Sequence, residues 1–336
     1  MTYSVHGLQR LPAAHLDEPG GALGQKGKEA GPPPCRQQVL AATMKVALAT
    51  CDRVPDLTED DRLLLDELSR RGVSARPLVW NDAGARWAMF DRVVIRSCWD
   101  YHLRLSEFLA WLDRVEADGV PLWNPAPLVR SNAHKSYLKD LKGAGLPVVP
   151  TAWLERGSTV DLGRLLRDRG WSEAVVKPAV SASAFRTWRV SAQDAASGDA
   201  HRALRELTAE GDVLVQPFLR EIERDGEWSF VFLGGGFSHA VLKRPAAGDF
   251  RVQAEYGGSA LTEAPPSSAL SEAQAVADYI KGPWAYARID AVLTEGALTL
   301  MEVELIEPYL FLANHPRAAA RLADAILTTT SSGPGT

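Results

Sequence analysis

Two acidic residues face each other in a predicted hairpin near the C-terminal end of the sequence. The strand-like runs Ala287 to Leu293 and Leu298 to Leu305 flank a short segment with a glycine, which predicts an antiparallel pair. A three-residue loop at Glu295 to Ala297 would place Asp290 directly opposite Glu302. Such neighbours have Cβ atoms about 4.5 to 5.5 Å apart, so two like charges repel each other unless a cation compensates. We therefore expect a divalent cation at this pair.

Glu304 adds a third carboxylate to the same face, because side chains alternate along a strand. Carboxylate oxygens without His or Cys suit magnesium, which also binds substrate phosphates, better than they suit zinc. The cluster of Asp290, Glu302 and Glu304 thus predicts a magnesium site and, through it, a nucleotide. The alternative is an ordinary solvated sheet face, on which Glu304 pairs with Arg288, its opposite residue in the same register.

A lysine precedes a run of small residues in the middle of the sequence. Val175-Val-Lys177-Pro ends a buried-looking strand, and Val180-Ser-Ala-Ser-Ala-Phe185 follows before the next strand, Thr187 to Val190. A cation followed by a mobile loop of small residues can cover phosphates with backbone N–H groups. An ordinary β-hairpin with a surface lysine fits the same pattern. The sequence contains no Walker A, GxGxxG or HExxH motif, so a nucleotide must be held in another way.

The elements that must position these residues begin with alternating strands and helices. An apolar run starts abruptly at Met44 and is typical of a buried first strand in a parallel sheet. The alternation that follows predicts an α/β unit. Its predicted strands are Val46 to Thr50, Ala75 to Val79 and Arg92 to Arg96, and its helices are Thr58 to Arg71 and Ser106 to Asp118.

Strands dominate the pattern after Gly211, whereas the region before it is mixed. The mixed region predicts helices at Ser131 to Ala144, Asp161 to Arg169 and Asp199 to Ala209, and a strand at Ala174 to Lys177. The later strands are predicted at Val213 to Gln216, Trp228 to Leu233, Gly236 to Lys243 and in the acidic hairpin, before a last helix at Pro316 to Leu327. The predicted fold class is α/β followed by mainly antiparallel α+β.

The composition limits the partners and the compartment. The 336 residues include 37 basic and 42 acidic ones without a long run of Lys and Arg, which argues against nucleic acid as a partner. Cys35, Cys51 and Cys98 have no CxxC spacing and predict neither a disulfide framework nor a structural zinc site. The sequence has no membrane-spanning apolar stretch and no secretory signal. We expect a cytoplasmic protein without nucleic-acid or membrane partners, and the sequence leaves a homodimer open.

From Met44 to Leu327 the order of motifs resembles the ATP-grasp superfamily, in the branch with bacterial glutathione synthetase and the ribosomal-protein glutamate ligases. Asn132-Ala-His-Lys135 resembles the first ATP lysine of that family, on a helix, and Val176-Lys177-Pro resembles the second. Ser181 to Ala184 resembles the flexible loop, although it has Ser and Ala where many relatives have Gly. The resemblance implies ATP contacts from Lys135, Lys177, Ser181 and Ser183.

The next two motifs continue the family's order. Gln216-Pro-Phe218 resembles the hinge beside the adenine. Gly226-Glu-Trp-Ser229 resembles the strand that opens the C-terminal subdomain, which implies that Glu227 contacts the ribose or another part of ATP. The resemblance therefore adds Gln216, Phe218 and Glu227 to the nucleotide site.

The remaining motifs resemble the catalytic end of the family. Lys243-Arg-Pro and Phe250-Arg251 resemble the basic residues that meet the transferred phosphate, which implies catalytic roles for Lys243 and Arg251. Asp290 and Glu302-Val-Glu304 match the metal ligands, although Glu304 stands where the family commonly has Asn. The resemblance implies ATP and two Mg²⁺ ions, with Mn²⁺ as an alternative.

Two short segments resemble a narrower branch, which contains the O-ureido-D-serine cyclo-ligase of cycloserine biosynthesis. They are Ile95-Arg-Ser-Cys-Trp-Asp-Tyr101 and Glu304-Leu-Ile-Glu-Pro-Tyr309. Polar and aromatic residues just past an apolar strand lie where open α/β sheets bind ligands. Packing and capping at the strand end would use the same residue types. The resemblance predicts substrate contacts for Arg96, Trp99, Asp100, Tyr101 and Glu307.

The two ends of the sequence have a different composition from the rest. Residues 1–43 are rich in Gly, Pro, Gln and Ala and show no periodicity, which predicts a disordered extension, and the Thr, Ser and Gly residues at 329–336 predict a disordered tail. Between them, the superfamily resemblance implies an N-terminal α/β substrate domain at 44–128, a central lid subdomain at 129–215 and a C-terminal metal- and ATP-binding subdomain at 216–328.

A reaction follows from the same resemblance. ATP phosphorylates a small, amino acid-like carboxylate to an acyl phosphate, and an amine-type nucleophile attacks it, within the same molecule or from another, releasing ADP and phosphate. The partners would be a small-molecule carboxylate and an amine. A peptide- or protein-tailoring ligase is the first rival, followed by a small-molecule kinase and a non-catalytic nucleotide-binding regulator.

Overall fold

The computed structural model describes residues 43–253 and 256–328. The predicted disordered tail at 329–336 and all but the last residue of the predicted extension at 1–43 lie outside these ranges. The described residues form three β-sheets, one parallel and two antiparallel. The predicted succession of an α/β unit and antiparallel α+β structure is therefore confirmed, while the domain boundaries at 128 and 215 stay predictions.

The first sheet is parallel, with the strand order β2-β1-β3-β4. Its strands are β1 Lys45–Thr50, β2 Ser74–Val79, β3 Arg92–Ser97 and β4 Leu122–Trp123, and the helices α1 Glu59–Arg70 and α2 Leu105–Ala117 connect them. Thr58 starts α1, because its hydroxyl accepts a hydrogen bond from the N–H of Asp61 at 3.0 Å. The sequence predicted each of these elements except β4, which has only two residues.

The second sheet is antiparallel, with the order β5-β8-β6-β7. Its strands are β5 Ala152–Leu154, β6 Glu173–Pro178, β7 Trp188–Ser191 and β8 Val213–Pro217. The helices α5 Leu162–Arg169 and α6 Gly198–Glu210 bury leucines against one face of this sheet. The structure thus places Lys177 near the end of a central strand.

The third sheet has the order β11-β10-β9-β12-β13 and holds the acidic hairpin at one edge. Its strands are β9 Glu227–Leu233, β10 Gly236–Arg244, β11 Ser259–Thr262, β12 Tyr286–Thr294 and β13 Ala297–Glu304, accompanied by the helices α7 Glu221–Arg224, α8 Ser267–Tyr279 and α9 Ala318–Leu327. The sequence did not predict α8, because three of its four buried residues are alanines and give a weak helical pattern. It also missed β11, whose four residues are all exposed and show no alternation.

The predicted helix from Ser131 to Ala144 is wrong, because the chain forms two short helices there. These are α3 Ala126–Asn132 and α4 Tyr137–Gly143. Between them, the N–H of Lys135 donates to the carbonyl of Ala179 at 2.9 Å instead of continuing the helical ladder. Lys135 therefore lies in the break between two helices, and not on a helix as its motif predicted.

The acidic hairpin has the predicted pairing at its carboxylates but a different turn. Thr294 pairs with Ala297 around the two-residue turn Glu295-Gly296, so the predicted three-residue loop is wrong. Both turn residues have positive φ, 54° and 85°, as a tight hairpin turn of this length requires. A bulge at residue 301 then shifts the register by one, which brings Asp290 opposite Glu302, as predicted.

The first and third sheets share one apolar core. Leu48 and Val94 of the first sheet belong to the same buried cluster as Val231 and Tyr286 of the third, together with Leu322 of α9. Asn124, directly after β4, joins the two sheets through hydrogen bonds. Its Nδ2 donates to the carbonyls of Tyr286 and Leu305 at 2.8 Å each, and its Oδ1 accepts from the N–H of Ala285 at 2.8 Å.

Replacing Asn124 by Ala is expected to lower the free energy of unfolding by about 2 to 3 kcal/mol, because buried backbone groups lose their partners. Urea unfolding measures this loss. Gln193→Ala, which removes an exposed amide, is the control and should change the stability by under about 0.5 kcal/mol. If Asn124→Ala lowered the free energy of unfolding no more than the control does, the role of the Asn124 hydrogen bonds in joining the two sheets would be contradicted.

Candidate active site

A cavity of about 540 Å³ is lined by residues from all three sheets and their loops. Lys177 and Gln216 reach it from the second sheet, and Trp99 and Tyr101 follow β3 of the first. Most of the residues predicted for the site line it: Trp99, Tyr101, Lys135, Lys177, Ser181, Ser183, Gln216, Glu227, Lys243, Arg251, Asp290, Glu302, Glu304 and Glu307.

Three predicted site residues, Arg96, Asp100 and Phe218, do not line the cavity. The Arg96 guanidinium is 1% exposed and forms an ion pair with Asp61, with 2.8 Å between Nε and Oδ1. Asp100 accepts from Trp80 Nε1 at 2.8 Å and from Arg104. Phe218 packs edge-on against the ring of Phe250. The structure thus places these side chains behind the cavity wall, where they hold lining segments.

Asp290 is the buried centre of the hairpin's polar face. Its carboxylate accepts from Ser229 Oγ at 2.6 Å and from Arg288 Nη2 at 2.9 Å, and Lys243 Nζ lies 3.4 Å away. Burial by itself raises the pKa of Asp290, but the cations Arg288 and Lys243 outweigh it and hold the pKa below its usual value. Asp290 is therefore ionised at neutral pH, and it faces the cavity as a carboxylate.

Glu302 and Glu304 on β13 each pair with a cation from another element. Lys135 Nζ lies 2.9 Å from Glu302 Oε1 and also donates to the carbonyl of Ser181 at 2.8 Å. Arg288 pairs with Glu304, as the alternative interpretation of the hairpin predicted. Burial and the neighbouring carboxylates Asp290 and Glu302 raise the pKa of Glu304 to about 7 in spite of Arg288.

The hairpin carboxylates fit a hard divalent cation by their chemistry. They offer only oxygen atoms, and two of them stand opposite each other across a strand pair. Among residues 43–253 and 256–328, no three His, Cys, Asp or Glu side chains are arranged closely enough to hold a metal ion in their present conformations. Lys135, Lys243 and Arg288 instead hold these carboxylates. Asp290, Glu302 and Glu304 can hold a cation where these ion pairs open.

Lys177 differs from the other cavity lysines because it has no carboxylate within 4.0 Å in the described part of the chain. Burial and the neighbouring Lys135 lower its pKa, while Glu302 opposes the shift. Lys243, by contrast, is paired with Glu227 at 2.6 Å between Nζ and Oε1. Lys177 is therefore a nearly buried ammonium group available for an anionic ligand.

Arg251 lines the cavity from an irregular segment between β10 and β11. Its Nη2 lies 2.7 Å from Asp249 Oδ2, and its guanidinium stacks over the ring of Tyr256 at 3.6 Å. The remaining guanidinium surface is partly exposed. Arg251 thus lines the cavity as part of an ion pair with Asp249, and none of its hydrogen-bond partners among the described residues belongs to the acidic hairpin.

The loop of small residues between β6 and β7, at 179–187, contains unusual backbone conformations; we call it the small-residue loop. Ser183, Ala184 and Arg186 have φ values of 49°, 53° and 50°, in the left-handed region that glycine adopts most readily. The loop thus keeps glycine-like geometry without glycine. Phe185 at its tip packs against the ring of His102, with 5.0 Å between the centroids. This contact joins the loop to the segment that carries Trp99 and Tyr101.

The sequence predicted the pair of Arg288 with Glu304 as an alternative, but it did not predict that Arg288 also contacts Asp290. A signal was present, because Arg288 lies two residues before Asp290 and strand side chains at that spacing share a face. The sequence also missed His102, since nothing local predicts its contact with Phe185. None of the described helices is long and apolar enough to cross a membrane.

Comparisons with known proteins identify the family of this chain. The pattern of the family described as D-cycloserine synthetase DcsG, N-terminal domain, matches residues 46–124. The cycloserine biosynthesis protein DcsG of Streptomyces lavendulae is 32% identical over 280 residues, which cover 78% of this chain and 91% of that protein. The crystal structure of D-cycloserine synthetase DcsG is similar with a TM-score of 0.74 and 30% identity, over 84% of this chain and 98% of that chain.

More distant structures share the fold. A RimK domain ATP-grasp protein from Sphaerobacter thermophilus has a TM-score of 0.63 at 20% identity, over 84% of this chain and 100% of that chain. The D-alanine–D-alanine ligase of Bacillus anthracis, solved with ATP, has a TM-score of 0.59 at 16% identity, over 84% and 96%. The fold is that of the ATP-grasp ligases. Within this class the chain belongs to the DcsG family, so the resemblance predicted from its motifs is confirmed.

Proposed function

We propose that the protein is an ATP-dependent ligase that activates a small, amino acid-like carboxylate as an acyl phosphate and joins it to an amine-type nucleophile. One observation carries this proposal. A single cavity of about 540 Å³ brings together Lys177, which has no carboxylate within 4.0 Å among the described residues, the carboxylates of the acidic hairpin and the aromatic residues Trp99 and Tyr101. Its volume lies in the range of roughly 300 to 1,000 Å³ that is typical of small-molecule sites.

The lysines and the small-residue loop would bind the phosphates of ATP. Lys177 is available as it stands, and Lys135 would exchange Glu302 for phosphate oxygens. Backbone N–H groups near Ser181 and Ser183 would add donors, as loops of small residues do for phosphates. Gln216 and Glu227, which line the same cavity, would contact the adenosine part of ATP.

Asp290, Glu302 and Glu304 would hold Mg²⁺, with two ions as our proposal and Mn²⁺ as an alternative. When bound, such ions neutralise phosphate charge and so favour phosphoryl transfer. Arg288 currently holds two of these carboxylates, Asp290 and Glu304. Its guanidinium would then be free to bind an anion in the cavity.

Arg251 and Lys243 would stabilise the negative charge that moves with the phosphoryl group. Phosphoryl transfer needs mostly positioning and electrostatic stabilisation, so no Ser or Cys nucleophile is required. Phe185 of the small-residue loop contacts His102, which belongs to the segment that carries Trp99. Closure of the loop against this segment would keep water from reaching the acyl phosphate.

The similarity to DcsG supports a finer proposal, in which the nucleophile belongs to the activated molecule and a ring closes as in cycloserine formation. We infer that the reaction takes place in the cytoplasm on small-molecule substrates. We also propose that the division into residues 44–128, 129–215 and 216–328 separates substrate, lid and metal-binding parts.

An ADP-release assay tests the proposed function. The protein is supplied with ATP, Mg²⁺ and a panel of D- and L-amino acid derivatives that includes both enantiomers of O-ureido-serine. We expect ADP release that depends on one panel member and matches, mole for mole, a product with a new C–N bond in mass spectrometry. A stable phosphorylated product would identify a kinase instead, and ADP release from ATP without any member of the panel would contradict the ligase.

A further inference from the structure

Two tyrosines are buried in the described part of the chain, and their hydroxyl groups differ in their partners. The Tyr286 hydroxyl donates to the carbonyls of Ile95 at 2.7 Å and Ile306 at 2.9 Å. The Tyr101 hydroxyl forms no hydrogen bond to any residue that the structure describes, although Tyr101 is only 4% exposed. A buried tyrosine hydroxyl usually has a partner. A ligand that fills the space beside Tyr101 therefore has to supply one.

The hydroxyl end of Tyr101 faces the cavity. Tyr101 lines the cavity, and the carboxyl groups that act on its phenol belong to Glu307, Glu302 and Glu304, which line it as well. Burial raises the pKa of Tyr101 well above its usual value. The phenol therefore keeps its proton and can donate a hydrogen bond throughout the neutral pH range.

The fold holds Tyr101 in one position. Its ring packs against the ring of Phe108, with 5.2 Å between the centroids, and its N–H donates to the carbonyl of Cys98 at 3.0 Å. The preceding residue, Asp100, accepts from Trp80 Nε1 at 2.8 Å. A donor that is fixed before the ligand arrives can stabilise developing charge without reorganisation.

The elements around the cavity indicate which part of a ligand lies beside Tyr101. Lys177 and the small-residue loop, which we propose for the phosphates of ATP, reach the cavity from the second sheet, whereas Tyr101 follows β3 of the first. Glu302 and Glu304, which we propose for the metal, act on the Tyr101 phenol. The ligand group between these elements would be the carboxyl group that receives the phosphoryl group.

We propose that the Tyr101 hydroxyl donates a hydrogen bond to the carbonyl oxygen of the acyl phosphate and stabilises its negative charge during attack by the nucleophile. The lone pair of the amine forms the new C–N bond, and the π electrons of the C=O bond move to the oxygen. When the C=O bond forms again, the C–O bond to phosphate breaks, and phosphate leaves with those electrons and a proton from the amine. The phenol keeps its own proton. This inference rests on the proposed function and assigns a catalytic residue to its second step.

Tyr101→Phe tests the inference, because it removes the hydroxyl and keeps the ring. With the panel member that gives the highest ADP release, we expect kcat to fall about 100-fold, as for the loss of one oxyanion donor. The KM for this substrate should change by less than about threefold. Since the hydroxyl has no partner in the described residues, the melting temperature should stay within about 2 °C of that of the unchanged protein.

A rapid-quench experiment identifies the step that is slowed. Tyr101→Phe should form about one ADP per active site in a fast first phase, because phosphoryl transfer precedes the attack on the carbonyl. The product with the new C–N bond should then appear in a slow phase at the reduced kcat. In the unchanged protein, ADP and product should appear together or with a smaller first phase.

Two other tyrosines provide controls. Tyr279→Phe, at a half-buried position of α8 outside the cavity, should leave kcat and the melting temperature unchanged. Tyr137→Phe removes a hydroxyl that accepts from the N–H of Val303 at 3.1 Å. It should therefore lower the melting temperature, in contrast to Tyr101→Phe.

Other outcomes overturn the inference. An unchanged kcat in Tyr101→Phe would exclude the catalytic role and leave the proposed ligase intact, and a higher KM with an unchanged kcat would make Tyr101 a binding contact alone. A lower melting temperature or failure to fold would give the hydroxyl a structural role. A slow first turnover of ADP would assign Tyr101 to phosphoryl transfer instead. Absence of ADP release by the unchanged protein with every panel member would remove the proposed function and this inference together.

Discussion

Asp290→Asn is expected to reduce ADP release by about 1,000-fold or more, because the site loses the ionised carboxylate at its centre. Asp290 accepts hydrogen bonds from Ser229 and Arg288 and lies 3.4 Å from Lys243. Asparagine has nearly the same shape, but its side chain is neutral and lacks the negative charge that binds a divalent cation. Glu302→Gln should have the same effect, since Glu302 is the facing residue of the pair.

The assay measures ADP release at saturating ATP and Mg²⁺, with circular dichroism to show that the fold is retained. Asp66→Asn, on the exposed face of α1, is the control and should leave the rate unchanged. Asp290→Asn leaves Arg288 and Lys243 with fewer partners, so a stability loss of about 1 to 3 kcal/mol is expected besides the loss of activity. Unchanged ADP release in Asp290→Asn or Glu302→Gln would disprove the metal assignment.

Arg96→Met is expected to lower the free energy of unfolding by about 3 to 5 kcal/mol, because it leaves the buried carboxylate of Asp61 without its cation. The guanidinium also donates to the carbonyl of Pro308 at 3.0 Å and lies over the ring of Tyr286, 4.9 Å from its centroid. Removing it therefore loosens the segment that carries Glu307. Activity should fall as a consequence of this displacement.

Chemical denaturation measures the stability loss, with Arg114→Met on the exposed face of α2 as the control. The double variant Arg96→Met with Asp61→Leu should recover part of the lost stability, because both charges of the buried pair are then gone. A variant Arg96→Met with normal stability and no substrate binding would contradict the structural role. Such a result would restore the direct substrate contact that the sequence predicted for Arg96.

The parts of the site that the sequence predicted follow from short-range rules. Alternation along a strand places Glu302 and Glu304 on one face, and it does so whatever the rest of the chain does. The end of an apolar strand likewise predicted where Lys177 lies. Asp290 does lie opposite Glu302 as predicted, but for a different reason. The turn is one residue shorter than predicted, and the bulge at residue 301 adds one residue to β13, so the two changes in register cancel.

The parts that the sequence could not predict depend on partners far away along the chain. Arg96 and Asp100 have the residue types of a ligand site, and only their contacts with Asp61 and Trp80 reveal that they lie behind the cavity wall. The break at Lys135 depends on a hydrogen bond to Ala179, on a different element. Propensity near Lys135 favours one helix, and tertiary contacts override it.

The sequence by itself determined the residue types, their order and the face of each strand, and these are enough to identify the ATP-grasp class and the acidic hairpin. Only the tertiary structure decided how the charges pair. Arg288, Lys135 and Lys243 each reach a hairpin carboxylate, whereas Lys177 and Glu307 have no counterpart within 4.0 Å in the described residues. Pairing depends on distances of a few ångströms between side chains from different elements, and spacing along one strand or helix does not determine those distances.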